Sequence, residues 1–296
     1  MRAQLQEQLE KRVKQCVQES LELGQTCPKI ERKKESMMKR KAEIVKAKAT
    51  GRLKEFGGKV NEITTVNYEA HFQYLVKHKG AFFIEEEVEE RVAEFYKDVL
   101  VEDTEKNPYV SVDESNFILL EDEVDERDYK HFKYDRLKAV QYAENWWNSH
   151  NPAFKSFEVN CTNYISQCLH AGGGQMRGYP NRGKGWWMRD NNWSYSWSVA
   201  HSMRMYLSGS TIGIRAKEVS SPDDLLHGDV ICYDFQGDGR YDHTTIVTGH
   251  DADGMPLVNA NTSNSRKRYW AYEDSTAYTP NIKYKFFTIF DEAKVK

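Results

Sequence analysis

The 296 residues hold 42 Lys/Arg against 45 Asp/Glu, a net charge of −3, with 39% apolar and 12% aromatic residues. This composition can supply a core and argues against wholesale disorder. No stretch reaches the roughly 18 apolar residues of a membrane-spanning helix, and the charged start from Met1 to Glu7 has no apolar leader segment, so no membrane span and a cytoplasmic location are expected. The five cysteines (16, 27, 161, 168 and 232) are odd in number and lack zinc-ligand spacing, which disfavours a disulfide framework or a zinc ribbon.

Charge divides the chain unevenly. Residues 1–60 carry an excess of eight positive charges, and residues 61–135 an excess of thirteen negative ones. Such neighbours are expected to pack against each other. Nucleic acid is not an expected partner, because the basic run from Arg32 to Lys59 has almost no aromatic side chains for base stacking.

Taken in order, Leu5, Leu9, Val13 and Val17 recur at helical spacing, and residues 1–56 read as helices broken near Cys27-Pro28. From Lys59 to Val124, the segments Ile63–Val66, Tyr68–Val76, Ala81–Val101 and Phe117–Leu120 mix β-branched and aromatic residues and read as antiparallel strands. The spacing of Val88, Val92, Phe95, Tyr96 and Val99 would suit a helix equally well. Asp122–Asp128 reads as an acidic linker. The expected division is a basic helical segment at 1–58, a small acidic α+β module at 59–130 and a third domain at 131–296.

The third domain opens with an amphipathic helix carrying Ala139, Val140, Tyr142, Ala143, Trp146 and Trp147, stopped before Asn151-Pro152. A second helix runs from Cys161 to His170 and ends at Gly172-Gly173-Gly174. After a Gly/Asn/Trp-rich loop comes a helix over Ser196–Leu207, then strands over Asp229–Phe235, His243–Gly249, Leu257–Asn261 and Tyr284–Phe290. The turns Gln236–Gly239 and Asp251–Gly254 suit hairpins. Helices followed by an antiparallel sheet give an α+β class.

One cysteine is placed for chemistry. Cys161 stands where a loop enters a helix, and the positive end of a helix stabilises a thiolate and lowers the thiol pKa. A downstream His on a strand and a polar residue on the next would complete a Cys-His-polar set. His243 answers to the first description; Asn259 and Asn261 both answer to the second, because strand alternation puts them on one face.

The residues that carry this pattern also resemble a family. Tyr134-Asp135-Arg136, Trp146-Trp147, Cys161-Thr162-Asn163-Tyr164, Gly185-Trp186-Trp187, Ser196-Trp197-Ser198, Gly228-Asp229-Val230-Ile231, Asp234 to Val247 and Pro256 to Ala260 resemble, in order, the amidase-domain family of Gram-positive bacteria, related to NlpC-like, CHAP-like and papain-like cysteine hydrolases. The resemblance covers about residues 132–290. It implies a papain-like (NlpC-like) α+β domain, with Cys161 as nucleophile, His243 as general base and Asn261 as the third residue, Asn259 being the alternative. It further implies Asn160 and Asn163 beside the nucleophile, no metal or organic cofactor, and a peptide substrate such as a peptidoglycan fragment. The family usually has His at the position of Asn261 and an acid at that of Asn160.

Other readings stand beside these. Trp186, Trp187 and Trp197 suit either a substrate cleft or the core of an irregular loop. Cys168 and Cys232 read as core, and Asp234, Asp238 and Asp242 as a hairpin turn in preference to a calcium loop, because no Glu closes the ligand set. The competing function is a catalytically weakened domain that binds cell-wall or protein partners. Oligomeric state is not legible.

Overall fold

The computed structural model describes residues 1–17, 27–107 and 133–291. The expected strand Phe117–Leu120 and the acidic linker lie outside the described residues. In chain order the elements are α1 (Arg2–Val17), α2 (Pro28–Lys39), β1 (Ala42–Val60), β2 (Ile63–His78), β3 (Ala81–Tyr96), β4 (Val99–Glu105), α3 (Arg136–Trp146), α4 (Cys161–Ala171), β5 (Met188–Arg189), β6 (Asn192–Trp193), α5 (Tyr195–Ser198), α6 (Ala200–Gly209), β7 (Ala216–Val219), β8 (Val230–Asp234), β9 (His243–His250), β10 (Pro256–Ala260), β11 (Ser265–Tyr269) and β12 (Lys283–Ile289). Helices and antiparallel sheets together make the class α+β.

The chain forms two compact units. The first draws on Met1–Pro108 and on a returning segment, Ser263–Tyr278. Its sheet is antiparallel in the order β1-β2-β3, with β4 and β11 both paired to β3. Two-residue turns at Asn61-Glu62, Lys79-Gly80 and Lys97-Asp98 join successive strands, and every one of these six residues has positive φ. That geometry matches the right-handed strand twist. Along β2, Val66, Tyr68, Ala70, Phe72, Tyr74 and Val76 are buried with period two, against Leu5, Leu9, Ile30 and Met37 of the helices.

The helical reading of residues 42–56 is corrected: they form β1. Its alanines and lysines favour a helix, but pairing with β2 from Ala42↔His78 to Val60↔Ile63 overrides that local preference. The helical alternative for Val88–Val99 also fails, since it lies in β3 and β4. The basic and acidic segments do pack together. Arg12 reaches Glu89 at 2.6 Å, Lys29 reaches Glu87 at 3.1 Å and Glu89 at 2.8 Å, and Lys33 pairs with Glu85, Glu87 and Asp274. Burial pushes the Glu89 carboxyl up, but Lys29 and Arg12 outweigh it and hold the group well below its ordinary value.

The second unit draws on Tyr109–Thr262 and Thr279–Lys296. Its sheet runs β10-β9-β8-β12-β7, each neighbouring pair antiparallel. The two expected hairpins join β8 to β9 and β9 to β10. Asp234 fastens the first, accepting main-chain N–H groups from Gly237, Asp238 and Gly239 at 2.6–3.2 Å. Its carboxylate is thereby committed to the turn. Asp135 caps α3 by accepting the Lys138 N–H at 3.0 Å. α4 follows the expected boundaries within one residue, and every residue from Cys161 to Leu169 is buried.

Candidate active site

Cys161 opens α4 and Asn160 is its N-cap. The sulfur lies 3.7 Å from Thr162 Oγ1, and Thr162 Oγ1 lies 3.2 Å from Thr244 Oγ1 on β9. The helix that carries the thiol is therefore stitched to the strand that begins at His243. Burial pushes the Cys161 thiol up; the hydroxyls and main-chain N–H groups of Thr162 and Thr244 pull it down without overcoming that. This corrects the expectation of a lowered thiol pKa: the helix terminus is present, but the group is cut off from water, and desolvation wins.

His243 is fully buried. His243 immediately precedes Thr244 as the first residue of β9. Its ring lies 5.6 Å from Tyr233, its cross-strand partner, and 6.2 Å from Phe235. The hydrogen bonds of Cys161 Sγ go to the two threonines. Thr244, the residue after His243, thus brings β9 to the sulfur.

Asn261 lies at the nucleophile end of α4. Its Oδ1 accepts from Asn160 Nδ2 at 3.0 Å, and its Nδ2 faces the main-chain carbonyls of Trp146, Trp147 and Ser149 at 3.3–3.5 Å. The amide oxygen expected to orient His243 accepts from the residue that precedes the nucleophile. Asn259 accepts from Thr248 Oγ1 at 2.7 Å and donates to Glu144 at 3.1 Å, tying β10 to α3. Asn163 Nδ2 donates to Asn160 Oδ1 at 2.8 Å, and Asn163 Oδ1 accepts from Trp197 Nε1 at 2.7 Å. The main-chain N–H of Asn160 is held by Thr262 Oγ1 at 2.6 Å. Asn160 and Asn163 are thus at the Cys161 end of α4.

The tryptophans settle as core. Trp186, Trp187 and Trp197 have no more than 1% of their surface exposed. Their indole N–H groups are bonded to Ser166, to the carbonyls of Asn181 and Lys184, and to Asn163. The cleft reading of these three is therefore corrected. Cys168 and Cys232 are also fully buried.

The recess beside the nucleophile end of α4, lined by Trp146, His150, Phe154, Lys155, Asn160 and Asn163, has a cavity volume of only about 10 Å³, room for roughly one water molecule. The sequence reading missed Thr162, Thr244, Thr262 and His150. The threonines sit directly beside or within the motifs already singled out, and that adjacency was the available signal.

Where carboxylates do gather among the described residues, at Glu85, Glu87 and Asp274, Lys33 Nζ occupies the space between them. That cluster holds its own cation.

The family model described as "Putative amidase domain" matches residues 133–287. The chain is 53% identical over 268 residues to the uncharacterized protein YhbB of Bacillus subtilis (strain 168), a match covering 89% of this chain and 86% of that protein. It is 32% identical over 124 residues to the uncharacterized protein YjcM of the same organism, covering 39% of this chain and 28% of the relative. No solved structure gives a significant match.

Proposed function

Because the chain belongs to the family of the Putative amidase domain, whose description suggests a hydrolase of C–N bonds, we propose that its second unit is a papain-like cysteine amidohydrolase and that its substrate is a peptide amide, with a peptidoglycan peptide as the first candidate. The observation that supports this reading most is the place of Cys161, the first residue of a buried helix inside the matched region.

The chemistry needs a thiolate, an acyl-enzyme and a proton carrier. Cys161 Sγ attacks the amide carbon, the carbonyl oxygen is received by main-chain N–H groups at the start of α4, and the amine leaves with a proton. Water then cleaves the thioester and frees the acid. His243 is the candidate proton carrier by chain position, one residue from the threonine that bonds the sulfur. The sulfur is a buried thiol, raised by desolvation and bonded to threonines. The same observation favours a second reading, a domain that binds wall or protein partners without turnover.

Mass spectrometry of peptidoglycan digests incubated with the intact protein and with Cys161→Ala separates the two. Amide cleavage should appear with the first and fall by at least about 10³-fold with the second, as expected for loss of a nucleophile. Equal cleavage by a folded Cys161→Ala would remove the cysteine mechanism. Retention of fragments without cleavage by either form would favour the binding reading.

A further inference from the structure

A line of buried amide groups runs through the nucleophile end of α4 in one direction. Trp197 Nε1–H donates to Asn163 Oδ1 (2.7 Å), Asn163 Nδ2 donates to Asn160 Oδ1 (2.8 Å), and Asn160 Nδ2 donates to Asn261 Oδ1 (3.0 Å). Asn261 Nδ2 then faces the carbonyls that end α3. All four side chains are buried, the least so being Asn160 at 4%. The polarity is fixed from both ends, since an indole N–H can only donate and a main-chain carbonyl can only accept. Each asparagine between them therefore has one permitted orientation. Asn160 sits at the N-cap position without capping the helix through its side chain; its amide instead joins α4 to the residues after β10, and Thr262 holds its main-chain N–H.

We propose that Asn160 and Asn261 are a matched pair of positioning residues, whose neutral, one-way hydrogen bond fixes the start of the nucleophile helix without placing a charge beside the sulfur. This deepens the cysteine reading above and rests on it only for the meaning of the position, not for the pairing itself. The pairing has consequences that separate it from simple packing. Asn160→Asp replaces the donor facing Asn261 Oδ1 with an acceptor. Flipping Asn261 does not rescue it, because its oxygen then meets the carbonyls of Trp146, Trp147 and Ser149. Asn261→His is compatible, since a neutral imidazole accepts from Asn160 on one nitrogen and donates to a carbonyl from the other. The double variant is compatible only as an imidazolium, which donates to both the new carboxylate and the carbonyls.

The test uses the full-length protein and two readouts that need no amidase turnover. One is the melting temperature, and the other is the pH profile of Cys161 alkylation by iodoacetamide, followed by mass spectrometry of the Cys161 peptide. The titratable groups near the pair are His150, 3.5 Å from Asn160 Nδ2, Lys155 and Tyr164 around the adjoining recess, Cys161 next to Asn160 in the chain, and Glu144 beyond Asn259. They are common to all the variants, so differences between variants report the substitution. Asn261→His should melt within a few degrees of the unmodified protein. Asn160→Asp should melt well below it, and the alkylation midpoint should rise by about one pH unit, because a carboxylate beside the thiol opposes its ionisation. The double variant should regain stability below the pKa of its imidazolium and lose it above. If Asn160→Asp proves too unstable to purify, the double variant still decides the matter. The proposal is overturned if Asn160→Asp leaves both readouts unchanged, if Asn261→His is as damaging as Asn261→Ala, or if the double variant shows no rescue at any pH. A reactive Cys161 with no amide turnover would count against the cysteine amidase and leave the pairing standing.

Discussion

At the scale of single residues, Asp242 shows how the turn ahead of His243 is tuned. Burial, with Asp234 and Asp238 nearby, pushes its carboxyl up to about 6, although the Phe235 N–H at 3.2 Å works against this. A carboxyl whose pKa is higher in the fold than in the unfolded chain binds its proton more tightly when folded. Its contribution to stability is therefore fullest below about pH 4 and is lost as pH rises to about 6. Asn keeps an acceptor for Phe235 and carries no charge. Asp242→Asn is expected to stabilise the protein at pH 7.5 by about 1 kcal/mol, a figure discounted because the group is partly exposed, and to have no effect near pH 4. Thermal melts at both values check this, and an equal effect at both would contradict it. The residue scale is also where the sequence was least informative about the site. It identifies Cys161, His243 and Asn261 as a set, yet Asn160 and Asn261 are 101 positions apart, and nothing in a linear pattern says which face of β9 meets the helix. Only Thr244 against Thr162 settles that.

Elements were legible where punctuation and period agreed. α4 is bounded by a loop-to-helix start and by three glycines, and β8, β9, β10 and β12 each alternate or run apolar between turn residues, so their limits were found within a residue or two. β1 was missed because its local preference is helical and its partner strand lies beyond a turn of two non-glycine residues, Asn61-Glu62. β7 and β11, of four and five residues, are too short and too charged to announce themselves. The end of α4 carries a packing constraint of its own. A Cβ built on Gly172 would lie 2.4 Å from the Tyr134 ring, and that tyrosine donates to the Gly228 carbonyl at 2.7 Å. Gly172→Ala should therefore displace Tyr134 and destabilise the unit by about 1–3 kcal/mol, the usual cost of overpacking. Urea denaturation measures it; a neutral result would mean that Tyr134 moves aside freely.

For the whole molecule, the charge split anticipated that the basic helices meet the acidic strand, and Arg12, Lys29 and Lys33 do so. It could not anticipate that the first unit is completed by residues 263–278, which bring β11 against β3 and place Asp274 beside both Lys33 and Arg268. Burying charges is costly unless each is paired, so this unit depends on a segment that the sequence-based division assigned to the third domain. Residues 1–108 expressed alone should melt below the same unit in the intact chain, and a synthetic peptide of residues 263–278 added to them should raise the melting temperature in a saturable way. Full stability without the peptide would show that the segment is dispensable.

That returning segment also fixes an order of events during synthesis. A ribosome adds roughly 5–20 residues per second, and about 150 residues separate the two parts of the first unit. The emerging sheet therefore waits on the order of ten seconds or more with the β3 edge at Glu86 and Glu87 unclaimed and with Lys33 short of one of its three carboxylates. For that interval the nascent chain exposes a strand edge lined with glutamates, and like charge on such an edge is what discourages neighbouring nascent chains from pairing with it.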